Sequence, residues 1–358
     1  MNTPDTQSAL REWDFELPNE LIARAPPEAR DGGRLLVVGE SLLDSKIREL
    51  PAFIEANDLL IFNDVRVRRA RLRGYRATGG AVEILVLRAD GDCAEVLLRP
   101  ARKVAVGDVL RLGSGHACIQ GRADEGRATV RFFPSLDAVE AEVGEMPLPP
   151  YMGRSADARD DERYQTVYAK SGEFAAAAAP TAGLHFSKAM LDNLAARGVE
   201  TAMVTLEVGL GTFRPLTEAN ITSGQLHPER FTVPDLTWAA VQRAHRDGRR
   251  IVAVGTTTVR AIESADGPGA GETTAFFRPG WQPRYINALI TNFHLPRSSL
   301  LMLVAAFAGR DRVFAAYAHA IARRYRFFSY GDACFFSSAS TPQSEQRVLL
   351  TTCGGSTT

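Results

Sequence analysis

The chain has 358 residues, more than the usual size of one domain, and its 42 Lys and Arg balance 42 Asp and Glu. The balance excludes a chain-wide attraction to nucleic acid or membrane, so a polyanion must bind to a local patch. Four cysteines without metal-ligand spacing, and no apolar run of ~18–20 residues, exclude a disulfide scaffold and a membrane span, so we expect a cytoplasmic protein without a metal.

The first half of the chain predicts a β-barrel inserted into an α/β domain. "DLLIFND" is typical of a buried core strand, whereas residues 62 to about 145 are short β-prone segments separated by Gly, Asp and Ser turns. The Pro-rich "MPLPPY" then returns the chain to the α/β part. We predict an α/β catalytic domain of residues 1–61 and 151–336, and an inserted small antiparallel barrel of residues 62–150.

The segment "VRVRRARLRGYR" (65–76) holds six arginines and no acidic residue. A single strand would place Arg66, Arg68 and Arg76 on one side and Arg69, Arg71 and Arg73 on the other. Solvated surface and contact with an RNA backbone both remain open for such a run. With Arg154 and the cluster "IARRYR", a neutral protein can still present a basic stripe, in which we expect Arg66, Arg68 and Arg154 to bind tRNA.

From about residue 184 the pattern alternates helix and strand. Ser187 is expected to cap a helix through "KAMLDNLAAR", followed by a strand "ETAMVTLEV". Further strands are predicted at "IVAVG", "YINALITNF" and "FFSYGDACFF", with helices between them. This alternation predicts a mostly parallel sheet covered by helices. The polar residues 337–358 are expected to be a disordered tail.

Two histidines follow turns that are typical of ligand-binding loops. "PTAGLHFS" brings His185 behind a turn in which Thr181 and Gly183 let the backbone approach a ligand. "ITNFHLPRSS" places Asn292 and His294 at the carboxyl end of a strand, where open α/β sheets bind ligands. A lone histidine is more often structural, but two such loops favour a shared site.

Three other segments carry candidate binding residues. In "IVAVGTTTVRAIES", a helix N-terminus at Thr256, Thr257 and Thr258 favours an anion, to which Arg260 adds a guanidinium. "EVGLGTFRP" lacks the full dinucleotide-binding spacing, so its glycines indicate close approach of backbone to a ligand. "RFFSYGDA" offers a ring for a purine and an acid for hydroxyls or ammonium, or else only a core strand with a turn. The residues selected from the last two segments are Glu207, Gly209, Gly211, Phe328, Tyr330 and Asp332.

Taken together, several long motifs resemble those of one enzyme family. The motifs are "FELPNELIA", "FNDVRV", "MPLPPYMGR", "ERYQTVYAK", "AAPTAGLHF", "VTLEVGLGTFRPL", "VGTTTVRAIES", "ALITNFHLPRSSLLMLVAAFAG" and "YRFFSYGDA". They resemble the S-adenosylmethionine:tRNA ribosyltransferase-isomerase family of queuosine biosynthesis, and the resemblance covers residues 12–336.

This resemblance implies a transfer of the ribosyl group of S-adenosylmethionine to 7-aminomethyl-7-deazaguanine at the wobble position of a tRNA. The sugar is rearranged, so that epoxyqueuosine forms and adenine and methionine leave. S-adenosylmethionine is then a co-substrate, with no further cofactor. The implied partner is a tRNA with a G-type wobble anticodon, and the implied architecture is a monomer with an α/β domain and an inserted barrel.

The implied chemistry assigns roles to the candidate residues. His185 and His294 are the acid–base candidates, since imidazole transfers protons near neutral pH. The segment "GTTTVR" suits the methionine carboxylate, Asp332 with Tyr330 suits the sulfonium, and Phe327 or Phe328 suits adenine.

Three positions depart from the family pattern as we expect it. Glu207 stands where His is expected, Val65 where Thr is usual and Arg278 where Tyr is common. We expect Glu207 to face the sulfonium, to act as a base, or to point away from the site. Two alternatives therefore remain, a ribosyl transfer to a free 7-deazapurine and a catalytically silent RNA-binding paralogue.

Overall fold

A computed structural model describes residues 10–170, 175–209 and 216–337 of the chain. Within these ranges the structure is built from strands, α-helices and short 3-10 turns. The strands are β1 (Arg34–Val38), β2 (Leu42–Lys46), β3 (Leu59–Asn63), β4 (Arg66–Val67), β5 (Arg71–Arg76), β6 (Ala81–Asp90), β7 (Cys93–Arg99), β8 (Val109–Leu112), β9 (Gly115–Arg122), β10 (Arg127–Phe133), β11 (Gly144–Glu145), β12 (Ala175–Ala176), β13 (Glu200–Leu206), β14 (Gln225–Val233), β15 (Ile251–Val254), β16 (Gly269–Ala275), β17 (Ala288–Asn292) and β18 (Ala333–Ser337).

The helices of the described ranges lie mostly in the second half of the chain. They are α1 (Leu136–Val143), α2 (Ala158–Arg163), α3 (Lys188–Ala196), α4 (Glu218–Ser223), α5 (Asp235–Arg246), α6 (Thr256–Ser264), α7 (Ser299–Ala308) and α8 (Arg310–Ala322). The predicted cap of α3 is confirmed, since the Ser187 hydroxyl accepts a hydrogen bond from the Met190 N–H.

The main sheet has nine strands in the order β16-β14-β13-β3-β15-β17-β18-β1-β2. The predicted α/β class is confirmed, but the prediction of a mostly parallel sheet is wrong. Among the described strands, four neighbouring pairs are parallel and four are antiparallel. One reason is that two helices in succession, α7 and α8, separate β17 from β18. The second helix carries the chain back, so that β18 runs against β17.

The central strands are buried on both faces, which explains their nearly continuous apolar sequences. Every residue of β3, β15 and β17 is buried. In β3, Leu59 and Ile61 pack into one core and Leu60 and Phe62 into another on the opposite face.

The predicted antiparallel barrel is also confirmed. Its neighbouring strands follow the spatial order β5, β6, β7, β10, β9 and β8, and pairing of β5 with β8 closes the ring. Helix α1 packs onto it, and Leu72, Val96 and Val130 belong to a separate core. The predicted domain boundaries at 61/62 and 150/151 stay predictions.

The arginine-rich segment does not form the single strand predicted for it. It divides into β4, which pairs with β12, and β5, which belongs to the barrel. Buried Ala70 lies between them, where the chain passes from one sheet to the other. The predicted sorting of the six arginines onto two sides of one strand is therefore wrong.

In the described part of the chain, no helix combines the length and hydropathy needed to cross a membrane. The same part holds no group of three or more His, Cys, Asp or Glu side chains arranged for a metal ion. Cys93, Cys118 and Cys334 are free thiols, and Cys353 lies outside the described residues. Of the predicted tail, Ser337 ends β18 and the rest lies outside the described residues.

Candidate functional site

Two parallel neighbouring strands, β15 and β17, end at the same edge of the main sheet. After β15, Gly255 adopts a φ of 91°, which residues with a side chain rarely adopt. Helix α6 begins at Thr256. Strand β17 ends at Asn292, followed by Phe293 and His294. The helix N-terminus and the amide side chain therefore lie at one sheet edge, where α/β folds bind ligands.

A cavity of about 40 Å³ opens at this edge. Segments from four parts of the chain line it, namely 179–182, 255–257, 291–294 and 328–329, together with Val208 and Leu300. The structure thus brings six of the predicted site residues together: Thr181, Thr256, Thr257, Asn292, His294 and Phe328.

A larger cavity of about 520 Å³ adjoins the first, and Leu300 lines both. Its wall includes the predicted Gly209 and Arg260, along with His227 and Glu229, which the sequence analysis did not select. Much of the remaining wall is apolar, contributed by Leu216, Leu226, Phe277 and Leu303. Glu229 lies on β14, a strand that the sequence analysis also missed.

A third space, a cleft of about 150 Å³, separates the barrel from the main sheet. The barrel contributes Arg88 and Arg127, and the sheet side contributes Glu207. Gly209 and Glu229 line both this cleft and the larger cavity, so the two spaces are contiguous.

His294 lies on the wall of the 40 Å³ cavity and is 8% exposed. Burial lowers its pKa to about 3, so the ring is neutral near pH 7. The Tyr317 hydroxyl accepts a hydrogen bond from the His294 backbone N–H at 3.0 Å and lies 3.4 Å from Nδ1. Tyr317 sits on α8, where nothing in its spacing distinguishes it from a core residue.

His185 does not line that cavity. It ends a 3-10 turn, Thr181–His185, and borders a separate space of about 10 Å³ beside Arg30, Arg163 and Tyr330. Burial lowers the pKa of His185 to about 4, more than the nearby Asp332 charge raises it. Its Nε2 has no hydrogen-bond partner in the described structure.

The turn that carries Thr181 is held tightly against the sheet. Phe186 is fully buried with its ring 5.0 Å from that of Phe62. Gly183 lies so close to Tyr168 that an added Cβ would overlap the tyrosine hydroxyl. The glycine is therefore required by close packing at this position.

Asn292 and Phe328 connect β17 to the loop before β18. The Asn292 amide donates to the Phe328 carbonyl at 2.9 Å, while its Oδ1 has no partner in the described structure. Phe328 has a φ of 74°, which is rare for an aromatic residue and stores backbone strain. Its ring lies 4.0 Å from that of Tyr151, whereas Phe327 is fully buried in an aromatic cluster with Phe293.

Asp332 and Tyr330 are not on the wall of the three connected spaces. The Asp332 carboxylate is 1% exposed and accepts backbone N–H groups of Arg34 and Arg326 at 2.9 and 2.8 Å. The Tyr330 hydroxyl donates to Asp160 at 2.8 Å. Both side chains are engaged within the protein and line none of the three connected spaces.

The threonines at the start of α6 differ in their contacts. Thr258 donates to the Val254 carbonyl at 2.8 Å, whereas the buried Thr257 hydroxyl has no partner in the described structure. The first N–H groups of a helix have no carbonyl partner within the helix, so they are available to a ligand in this cavity.

Arg260 and Glu207 are both paired with residues of β14. The Arg260 Nε lies 2.8 Å from a Glu229 oxygen, and its buried Nη2 has no partner in the described structure. Glu207 accepts two hydrogen bonds from Arg230, both at 2.8 Å. The Gly209 N–H donates to Glu229 at 3.3 Å, and Gly211 lies outside the described residues.

Two of the three arginines predicted to bind RNA are paired with carboxylates. Arg68 contacts Glu140 at 2.7 Å, and Arg154 holds Asp160 with two hydrogen bonds of 2.6 and 2.8 Å. Arg66 is exposed on β4. Two of these three arginine charges are therefore balanced by carboxylates.

Comparison with known proteins links this chain to one family. The sequence profile described as "Queuosine biosynthesis protein" matches residues 10–336. A protein of Thiobacillus denitrificans named "S-adenosylmethionine:tRNA ribosyltransferase-isomerase" is 48% identical over 340 residues, 92% of this chain and 98% of that protein. A protein of Azoarcus sp. with the same name is 48% identical over 336 residues, 91% and 96% of the two chains.

A solved structure is also similar. The crystal structure of S-adenosylmethionine tRNA ribosyltransferase from Thermotoga maritima is 34% identical and matches with a TM-score of 0.51. The match covers 90% of this chain and 99% of that one.

Proposed function

Because the chain belongs to the queuosine biosynthesis protein family, we propose that it acts as an S-adenosylmethionine:tRNA ribosyltransferase-isomerase. The substrates are S-adenosylmethionine and a tRNA carrying 7-aminomethyl-7-deazaguanine at a G-type wobble position. The ribosyl group is transferred to the aminomethyl arm and rearranged, which gives epoxyqueuosine and releases adenine and methionine. S-adenosylmethionine is a co-substrate, and no other cofactor takes part.

The observation that carries this proposal is the convergence of separate loops on one cavity at the carboxyl ends of β15 and β17. The cavity of about 40 Å³ shares Leu300 with the adjoining space of about 520 Å³. A ligand with an anionic end, a cationic centre and a flat base can extend across both.

The carboxylate of the methionyl group binds at the N-terminus of α6, beside the buried and unpartnered Thr257 hydroxyl. Phe328, rather than the buried Phe327, offers its ring to the base. Asp332 faces away. Glu125 and Glu229 both line the larger cavity, and we assign the sulfonium charge to Glu229, which Arg260 and the Gly209 N–H hold in place.

Of the two histidines predicted to transfer protons, His294 is the one that lines the ligand space. Its ring is neutral near pH 7, the form that can accept the proton leaving the carbon next to the positive sulfur, although a pKa of about 3 makes it a weak base in this structure. His185 lies outside this space, and Glu207 is occupied by Arg230. Glu207 therefore serves as a counter-charge in the cleft and not as the base.

The acceptor base enters through the cleft between the barrel and the main sheet. Gly209 and Glu229 line both this cleft and the larger cavity, so an aminomethyl group in the cleft can reach the ribosyl group. A free 7-deazapurine would use the same path, and binding of tRNA distinguishes the two acceptors.

Product analysis tests the proposal directly. The protein is incubated with S-adenosylmethionine and tRNA bearing the aminomethyl deazaguanine, and the digested nucleosides are identified by mass spectrometry. We expect epoxyqueuosine, with adenine and methionine in equal amounts. S-adenosylhomocysteine as the main product, or equal turnover with the free base, would contradict the proposal.

A further inference from the structure

The strongest unassigned feature is a pair of arginines without acidic partners behind the Thr181–His185 turn. Arg30 donates to the carbonyls of Gln165 and Glu162 at 2.8 and 2.7 Å, and Arg163 donates to the Glu28 carbonyl at 2.9 Å. Neither guanidinium has a carboxylate of the described residues within 4.0 Å, unlike Arg68 and Arg154. Within the described residues, their hydrogen-bond acceptors are backbone carbonyls.

The two guanidinium groups repel each other. Burial is the largest cause that lowers the pKa of Arg30, and the neighbouring Arg163 charge lowers it further, while Glu162 acts in the opposite direction. An arrangement that brings two like charges together and supplies only carbonyl partners is stabilised by a bound anion.

Two buried side-chain nitrogens beside the arginine pair have no hydrogen-bond partner among the described residues. The Arg163 Nε and the His185 Nε2 are buried without a hydrogen bond in the described structure. Both residues line the cavity of about 10 Å³, and His185 is only 3% exposed. A cavity of this size holds one water-sized group, so it fits a single oxygen atom.

The small cavity is next to the proposed ligand site. Ser329 lines both spaces, while Thr181 and His185 are the two ends of one 3-10 turn. A group bound between Arg30 and Arg163 therefore lies one turn of backbone away from the S-adenosylmethionine space.

We propose that Arg30, Arg163 and His185 bind one backbone phosphate of the tRNA, with a phosphate oxygen in the small cavity. This inference rests on the proposed function, because it takes tRNA as the ligand. Arg30 and Arg163 are partly exposed, so an RNA chain can reach them from solvent, whereas Ser329 lies between their cavity and the proposed S-adenosylmethionine space. The phosphate fixes the backbone of the acceptor strand next to the site and neutralises the arginine pair.

The test measures binding of an unmodified tRNA transcript with guanine at the wobble position, across a range of salt concentrations. Arg30→Gln, Arg163→Gln and the double variant are compared with the unchanged protein. Loss of one phosphate contact to unpaired RNA lowers the salt slope by about 0.7, so the fall in affinity between 50 and 200 mM salt becomes about 2.6-fold smaller. Because both arginines contact the same phosphate, the double variant should lose no more than either single variant.

Arg159→Gln is the matched control. Arg159 lies on α2 like Arg163, but its guanidinium is 2.8 Å from Asp157 and its side chain is 69% exposed. We expect its salt slope to stay unchanged, and S-adenosylmethionine affinity to stay unchanged in all variants. Thermal unfolding is recorded for each protein, and Arg30→Gln decides the question if Arg163→Gln does not fold.

An unchanged slope in the Arg30 and Arg163 variants overturns the proposal, as does a slope that falls twice as far in the double variant. Loss of S-adenosylmethionine affinity with an unchanged slope assigns the cavity to that ligand instead. Product formation by the unchanged protein is measured separately. A failed reaction with a lowered slope would overturn the proposed chemistry and leave the phosphate site standing.

Discussion

At the scale of single residues, His294 and His185 show how burial sets the state of a titratable group. Their pKa values, about 3 and about 4, are low because the charged imidazolium loses its hydration inside the protein. Both rings are therefore neutral at the pH of the cell. They differ in position, since His294 borders the proposed ligand space and His185 borders the arginine pair.

We expect His294→Gln to lower turnover by at least ~10²-fold, the low end for removal of a general base. S-adenosylmethionine affinity should change little, because the neutral ring contributes no charge to binding. The measurement is single-turnover release of adenine. His319→Gln is the control, since His319 bonds Asp44 at 3.1 Å and lines none of the three connected spaces. Equal turnover in the His294 and His319 variants would remove His294 from the mechanism.

The same two histidines predict loss of stability in acid. In the unfolded chain both histidines are protonated below their ordinary pKa of about 6.5. In the folded protein they are protonated only below about pH 4 for His185 and about pH 3 for His294. The free energy of unfolding therefore rises with pH in this window and falls as the solution is acidified. Within this pH window, each histidine changes the equilibrium constant of unfolding about tenfold per pH unit.

Urea unfolding at pH 7, 5.5 and 4.5 tests this dependence. The double variant His185→Gln, His294→Gln should lose less stability on acidification than the unchanged protein. If the two proteins respond equally to pH, other groups cause the acid sensitivity.

At the scale of elements, local sequence signals predicted most helices and the central strands. Ser187 and the Gly255 turn mark where α3 and α6 begin, and the apolar β15 and β17 have sequences typical of buried strands. Strands β14 and β16 were missed, since their pairing depends on neighbours distant in the chain. The reversed direction of β18 was also out of reach, because it depends on how two successive helices pack.

The 3-10 turn Thr181–His185 gives a prediction about packing. We expect Gly183→Ala to cost about 1–3 kcal/mol of stability, because the added methyl overlaps the Tyr168 hydroxyl. The Tyr168 hydroxyl is buried without a partner in the described structure, so Tyr168→Phe alone should be nearly neutral.

Combining the two substitutions should recover part of the lost stability, because the overlapping oxygen is gone. Thr166 Cγ2 still lies 2.9 Å from the added methyl position, so recovery is incomplete. Chemical unfolding of the four proteins gives the coupling energy. Strict additivity would show that the clash with Tyr168 is not the cause.

At the scale of the whole molecule, an ion pair connects helix α1 of the barrel to the segment between β4 and β5, where the chain enters the barrel. Arg68 lies between β4 and β5, and its Nε contacts Glu140 of α1 at 2.7 Å with little solvent exposure of either side chain. Burial raises the pKa of Glu140 and outweighs the opposing effect of Arg68. The sequence analysis took this arginine for an RNA ligand because charge spacing cannot show which arginine meets a carboxylate.

We expect Arg68→Ala to destabilise the protein by roughly 3 kcal/mol, the low end for leaving a buried charge unpaired. Arg68→Ala combined with Glu140→Gln should be more stable than the single variant, because no unpaired charge remains. Thermal and urea unfolding provide the comparison, and the salt slope of tRNA binding should not change. A lowered slope in a stable Arg68→Ala protein would restore Arg68 as a phosphate contact.

The sequence predicted the α/β class from the alternation of helices and strands, and the barrel from its short β-prone segments. It also predicted six residues that share one cavity, from turns and from loops that follow strands. It did not predict the ion pairs of Arg68, Arg154 and Arg260, since their partners lie on other elements. Glu229 and Tyr317 were missed for the same reason.

The position of β18 has a consequence for how the protein is made on the ribosome. This strand is the last described element, yet it lies between β17 and β1 and is hydrogen-bonded to both. The barrel strands, in contrast, follow one another within residues 71–145, so they can pair as soon as they emerge. The main sheet stays in two pieces until residues 333–337 are synthesised, and a prematurely terminated chain would keep β1 and β17 as open edges. Synthesis of residues 333–337 is thus coupled to closure of the sheet that carries the site.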